Sequence, residues 1–278
     1  MYLKDKIKKI TTLVLAAVML SACGAEEVPE IEEKEPPKVY NIPAAAEENN
    51  LLKLATDARG TETKICYLTF DDGPTNNVTP RVLDVLKQYN VKATFFVLGS
   101  MADKNPDILK RVYDEGHLIA NHSYSHSYGD LYATAESFMA EINHTHQRIT
   151  EITGEEPFKL VRFPGGSHKE STYGAQKQEY IGVLKQNGFY YADWNCLNGD
   201  AEAILRSAPE LLAKIQQTAY GKNIVVLMHD AKTKTTTPDA LGGIIEYLSS
   251  RGYEFKRLDE VEYYSETEKI QNSNSIVL

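Results

Sequence analysis

The stretch YLTFDDGP, residues 67–74, ends an apolar run with two carboxylates side by side, and adjacent anions repel. Asp-Gly and Gly-Pro are also ordinary turn chemistry, so Asp71 and Asp72 read equally as a plain strand end. Residues elsewhere bear on the choice. NHSYSH places His122 and His126 four apart, and on a helical turn that spacing puts both imidazoles within reach of one metal ion. Asp72 would complete a two-histidine, one-carboxylate set with positions left for water, which borderline metals such as zinc accept. A cation there would hold Asp72 and lower the cost of keeping Asp71 ionised beside it, leaving Asp71 as a base toward water. Arg162, in LVRFPGG, could fix Asp71 or simply end a strand in solvent. Asp193 in YADWN and His229 in VLMHD each leave a polar group after an apolar run. A carboxylate that orients a histidine raises its basicity and fixes its tautomer, as a general acid requires; a satisfied core histidine is the other reading of His229.

These residues need elements to carry them. KICYLTF, ATFFVLG, HLIANHS, KLVRFP, GFYYADWN, NIVVLMH and YEFKRL are candidate strands, separated by segments with helical apolar spacing. Pro80, Pro106, Pro209 and Pro238 mark helix starts, the first, second and last behind Thr79, Asn105 and Thr237 as caps. Gly116, Gly154, Gly188, Gly221 and Gly252 mark the stops, and Thr134 to Thr153 is the longest expected helix. Strands alternating with helices predict an α/β fold with a mostly parallel sheet, open or closed. In either form strand C-termini gather functional residues, and Asp71-Asp72, His122, Arg162, Asp193 and His229 all lie at such ends.

In order along the chain, TFDD, HSYSH, RFPGG, ADW and LMH resemble the five motifs of the NodB-homology polysaccharide deacetylases, carbohydrate esterase family 4, over about residues 63–260. The resemblance implies a distorted (β/α) barrel of seven strands, one divalent metal (zinc or cobalt), and hydrolysis of N-acetyl groups on amino-sugar polymers. It makes Asp71 the catalytic base, Asp72, His122 and His126 the metal ligands, and Arg162 the residue that positions Asp71. Asp193 would support His229, the catalytic acid. The Gly165 N–H would receive the oxyanion, and Trp194 and Leu227 would line the groove for the acetyl methyl. One departure stands out: many members carry an aromatic residue after the proline of the third motif, where this chain has Gly165. Tyr124, Tyr128 and Tyr173 could stack on sugar faces or merely pack. His144 and His146, two apart, point to different sides of a helix; His117 reads as structural, and His168 follows the Gly-Gly turn.

The formal charge of −9 and the absence of a basic face exclude nucleic acid as an expected partner. Residues 1–23 put four lysines ahead of the apolar run ITTLVLAAVML and end in LSAC, which resembles the lipobox of bacterial lipoproteins. That resemblance implies cleavage before Cys23 and a lipid on its sulfur; an ordinary secretory signal or an uncleaved anchor are the alternatives, and all three place the domain outside the cytoplasm. Residues 24–58, rich in Glu, Pro and Ala, read as a disordered tether, 59–262 as the catalytic domain, and 263–278 as a polar tail. Cys66 and Cys196 are expected as free, buried thiols rather than a pair. A membrane-anchored monomer acting on the N-acetylglucosamine or N-acetylmuramic acid of peptidoglycan is the resulting expectation. Chitin-type, exopolysaccharide or acetylxylan chains are the alternative substrates, and a non-catalytic glycan-binding lipoprotein is the alternative class.

Overall fold

The structure, a computed structural model, describes residues 49–57 and 63–261. In chain order the elements are α1 (Leu51–Asp57), β1 (Lys64–Asp71), α2 (Thr79–Gln88), β2 (Thr94–Val97), α3 (Gly99–Lys104), α4 (Pro106–Asp114), β3 (Leu118–Asn121), α5 (Tyr128–Leu131) and α6 (Ala135–Thr153). There follow β4 (Leu160–Val161), α7 (Gly174–Gln186), β5 (Tyr190–Tyr191), β6 (Cys196–Leu197), α8 (Ala208–Thr218), β7 (Asn223–His229), α9 (Thr237–Ser250) and β8 (Tyr253–Phe255). All strand pairings are parallel, in the order β5-β4-β3-β2-β1-β7-β6. Among the described residues β5 and β6 do not pair, so the seven-stranded barrel stays open along one seam. Six of the seven expected strands lie on this path. The seventh, from YEFKRL, is β8, which shares an edge of β1 with β2 by pairing Lys64–Cys66. The remaining barrel strand is the two-residue β6, which begins directly after the GFYYADWN run expected as a single strand.

Strand parity places the site. On β1, Cys66, Leu68 and Phe70 face the outer layer against the helices, while Ile65 and Tyr67 face the barrel interior with Phe96, Ala120, Leu160 and Val225. Because side chains alternate, the interior rows run on two residues further to His122 after β3 and Arg162 after β4, and four further to Asp71 on β1 and His229 on β7. Each is the polar continuation of a buried apolar row, brought to one end of the barrel because all strands run the same way. In the β1–β7 register Asp71 stands opposite His229.

The tether expected over 24–58 ends earlier than its composition suggests. Leu51, Leu54 and Ala55 of α1 are buried in the interior cluster, so the helix belongs to the domain; residues 24–48, the lipobox cysteine Cys23 and the tail 263–278 lie outside the described residues. Asn49 donates from Nδ2 to the carbonyls of Phe189 and Ile181, the Tyr191 N–H donates to its carbonyl, and Asn223 donates to Ala55. The prolines do begin α2, α4, α8 and α9, and α6 is the longest helix, opened by a Thr134 capping box and closed by a left-handed Gly154. Thr79 and Thr237 do not cap, however. Each is inside its helix and donates its hydroxyl to a buried carboxylate, Asp230 (2.6 Å) and Asp200 (2.9 Å) respectively. Cys66 and Cys196 are free and buried, and burial, then each other's proximity, pushes the Cys66 thiol well up.

Candidate active site

Asp71 is 2 % exposed and receives a 2.8 Å hydrogen bond from Nη1 of Arg162, which is itself fully buried. The guanidinium also donates to Thr69 Oγ1 (2.6 Å) and to the carbonyls of Ala192 (3.0 Å) and Asp193 (3.2 Å), and its carbon lies 4.0 Å over the Phe96 ring. A buried ion pair is tolerable only when its remaining donors are satisfied, and these are. Arg162 thus holds one Asp71 oxygen and leaves Oδ2 facing His122, 3.7 Å from Nε2.

Asp72 departs from the strand with φ +77°, a left-handed conformation rarely adopted outside glycine. The same holds for Ser123 (+74°) and His126 (+61°), so the histidine pair rides a loop and not the helical turn that its spacing suggests. Three side chains offset the cost of that loop. Asn121 Oδ1 accepts from the Ser123 N–H, Ser123 Oγ from the His126 N–H, and Glu141 of α6 from the N–H groups of Tyr124 and Ser125. His122 has its Nδ1 2.9 Å from the Arg162 carbonyl; as a donor there, it keeps a lone pair on Nε2. Burial pulls the His122 pKa down against the pull of Asp71 and Asp72, favouring the neutral ligand form.

The trio fits a metal. Asp72 Oδ1 is a buried oxygen without a hydrogen-bond partner among the described residues, 3.6 Å from His122 Nε2 and 3.5 Å from His126 Nε2. Ligand atoms about 2.1 Å from a tetrahedral centre stand about 3.4 Å apart. A groove of about 650 Å³ opens beside Asp72 and His126, lined further by Leu98, Met101, Lys104 and Lys232.

His229 faces this group across β1, and its partner corrects the expectation. Nδ1 lies 2.7 Å from Oδ1 of Asp200, whose Oδ2 accepts the His229 backbone N–H (2.8 Å) and the Thr237 hydroxyl. Asp193 does not reach His229. It is closed off by Ser167, which donates from its N–H (3.0 Å) and Oγ (2.5 Å), so it braces the turn after Pro164 instead. The physical reason is β6: by pairing with β7 it carries the chain across the seam and delivers Asp200 beside His229. Burial lowers the His229 pKa, but the Asp200 hydrogen bond and the charges of Asp200, Asp71 and Asp72 outweigh it and raise it to about 9.

The third-motif turn presents Gly165, exposed and at φ +74°. The Pro164 carbonyl accepts from the Tyr132 hydroxyl (2.9 Å) and from Nζ of the buried Lys177 (3.1 Å). C=O and N–H of a trans peptide point opposite ways, so pinning that carbonyl toward the core turns the Gly165 N–H away from it. Trp194 stands edge-on to His168 (5.9 Å) and beside Gly166, and Leu227 shares the interior row of His229, two residues below it. His117 accepts from the Ala93 N–H and is structural, while His144 stacks on Tyr124 and His146 lies 3.4 Å from Glu156, apart from the site.

A sequence profile for polysaccharide deacetylases matches residues 58–184. The chain is 31 % identical over 269 residues to a peptidoglycan-N-acetylglucosamine deacetylase of Bacillus cereus, covering 93 % of this chain and 94 % of that protein. It belongs to the polysaccharide deacetylase family. The deacetylases of that family are hydrolases acting on amide bonds, and the barrel above is theirs. The peptidoglycan-N-acetylmuramic acid deacetylase PdaA of Bacillus subtilis is 32 % identical over 276 residues, 94 % of this chain and 98 % of that one. The catalytic domain of a peptidoglycan N-acetylglucosamine deacetylase from Eubacterium rectale superposes with a TM-score of 0.67 at 32 % identity, covering 74 % of this chain and 93 % of that domain.

Asp200, Asn121, Glu141, Lys177 and Tyr132 are the site residues that motif spacing does not expose. For Asp200 a signal exists: Asn198-Gly199 is a turn pair, and the aspartate directly behind it precedes the only long buried strand left to pair.

Proposed function

We propose that the protein removes N-acetyl groups from amino sugars of peptidoglycan at the cell surface. The observation that carries this reading is the division of labour at one barrel end: Asp71, locked by Arg162, faces both the Asp72–His122–His126 trio and the Asp200-backed His229. Asp72, His122 and His126 would hold one divalent ion, with zinc favoured by the two-imidazole, one-carboxylate set. Such an ion supplies polarisation of the acetamide carbonyl and a more acidic water. Asp71 takes the proton of the attacking water, and the Gly165 N–H donates to the acetyl oxygen as charge develops there. His229, kept cationic at neutral pH by the Asp200 carboxylate at its Nδ1, gives its Nε2 proton to the departing amine nitrogen; acetate and the free amino sugar result. Arg162 keeps Asp71 from turning away.

Peptidoglycan is favoured by the relatives, whose names specify N-acetylglucosamine in one case and N-acetylmuramic acid in the other at nearly equal identity. Export through residues 1–23 and a lipid on Cys23 would place the domain beside that polymer. The test is acetate release from peptidoglycan fragments and from chitooligosaccharides in parallel, with and without chelator. Chelator-sensitive release, greater from peptidoglycan, is expected. Release from chitooligosaccharides alone would overturn the substrate, and binding without release from either would overturn the activity.

A further inference from the structure

Gly165 leaves space that another side chain fills. A Cβ built on Gly165 would meet Oη of Tyr128 at 2.7 Å and its ring at 3.3 Å. A side chain at residue 165 therefore has no room here, and a tyrosine from a different element occupies the place. Tyr128 opens α5 two residues after the ligand His126, and its ring meets the His126 ring edge-on at 5.4 Å. Its flank is fixed by Tyr132 (5.8 Å), Tyr173 (6.5 Å) and Lys177, whose Nζ lies 5.8 Å from the ring centroid.

The surroundings decide what the hydroxyl is for. No hydrogen-bond partner for the Tyr128 hydroxyl is found among the described residues, although Tyr132 beside it is bonded to Pro164 and Tyr124 to Asp103. It lies against the Gly165 Cα, and the Gly165 N–H is turned away from the carbonyl that Tyr132 and Lys177 hold. A phenol is a donor at neutral pH. Two donors, one backbone and one side chain, thus stand together beside a metal ligand. That is the composition of an oxyanion site, where rigid donors act on charge that appears only in the transition state.

We infer that the Tyr128 hydroxyl is a catalytic donor to the acetyl carbonyl oxygen, sharing that oxygen with the Gly165 N–H, and that Gly165 lacks a side chain so that Tyr128 can reach it. The inference rests on the deacetylase reading above. Stacking on a sugar ring is the competing use of Tyr128, and it predicts a different kinetic signature, because a stacked ring binds ground state and transition state alike.

The experiment is steady-state kinetics of metal-loaded protein on N-acetylated peptidoglycan fragments, for wild type, Tyr128→Phe, Gly165→Ala and the double variant. Metal content and melting temperature are read alongside. Tyr128→Phe keeps the ring and loses only the hydroxyl, so it is expected to lower kcat by about 100-fold, with KM within about threefold and metal content unchanged. Gly165→Ala displaces the hydroxyl and should lower kcat comparably. In the double variant the clashing oxygen is gone and only the strain of a side chain at φ +74° is added, so kcat should fall by less than the product of the two single losses. Full kcat in Tyr128→Phe, an effect confined to KM, or simple multiplication of the two losses would overturn the inference while leaving the deacetylase reading intact. A wild type that releases no acetate would overturn that reading and the inference with it.

Discussion

Asp71 closes a buried strand with one oxygen on a fully buried guanidinium, whereas Asp72, the next residue, turns left-handed and leaves a buried oxygen between two imidazoles with no donor. The first carboxylate is positioned entirely by the protein. The second is surrounded by atoms that share its ligand character, an arrangement that a cation would complete. The pair shows how one residue type takes two roles through environment alone: the backbone changes hand between them, so one side chain follows the interior row and the other swings toward the loop after β3.

The sharpest way to break this comparison is Asp72→Ala. It removes the only carboxylate of the trio, and loss of bound metal, read by elemental analysis, should accompany a fall in acetate release of about a thousandfold or more. Asp71→Asn should separate the two aspartates: metal content stays at the wild-type level while kcat falls by about 100- to 10,000-fold. That variant also leaves the Arg162 charge buried and unpaired, so a loss of about 3 kcal/mol is expected in denaturant unfolding. Equal metal loss in both variants would show that the carboxylates act as one ligand pair.

Asp200→Asn addresses the other flank and should have a smaller effect, a kcat loss of about 100-fold. Its sign in pH is fixed by the cause of the shift. His229 must be protonated to act, and with Asp200 its pKa is raised to about 9, so activity declines only as pH climbs through that range. Without the Asp200 charge, burial acts with less opposition and the alkaline limb should move to lower pH. Asp193→Asn is expected to leave that limb where it is, with a few-fold loss in kcat from a loosened Ser167 turn. A moved limb in Asp193→Asn and an unmoved one in Asp200→Asn would reverse the assignment.

Much of the site can be read from the chain because parity in a parallel sheet is strict: a polar residue an even number of steps beyond a buried interior one must face the same side, which locates Asp71, Arg162 and His229. Spacing locates His122 and His126 but misjudges their backbone, since four residues apart is also what a loop with two left-handed residues can span when Asn121 and Glu141 tie it down. Asp200 escapes because β6 is two residues long, too short for alternation to register, and its place is set by pairing with a distant strand. Thr79 and Thr237 mislead for a related reason. Local propensity offers them as caps, and buried aspartates claim their hydroxyls instead.

The short helix α1 gives the domain a mechanical entrance. Asn49 is stitched to β5 and to α7 through the Phe189, Tyr191 and Ile181 backbones, and Ala55 to β7 through Asn223; β5 lines one side of the unpaired seam and β7 lies one strand in from the other. Any load passed along the chain ahead of residue 49 therefore enters as shear across these bonds and spreads into β5 and β7. The loop that bears His122 and His126 follows β3, two strands from β5 and three from β7, so the load enters the frame at a distance from the three side chains of the trio.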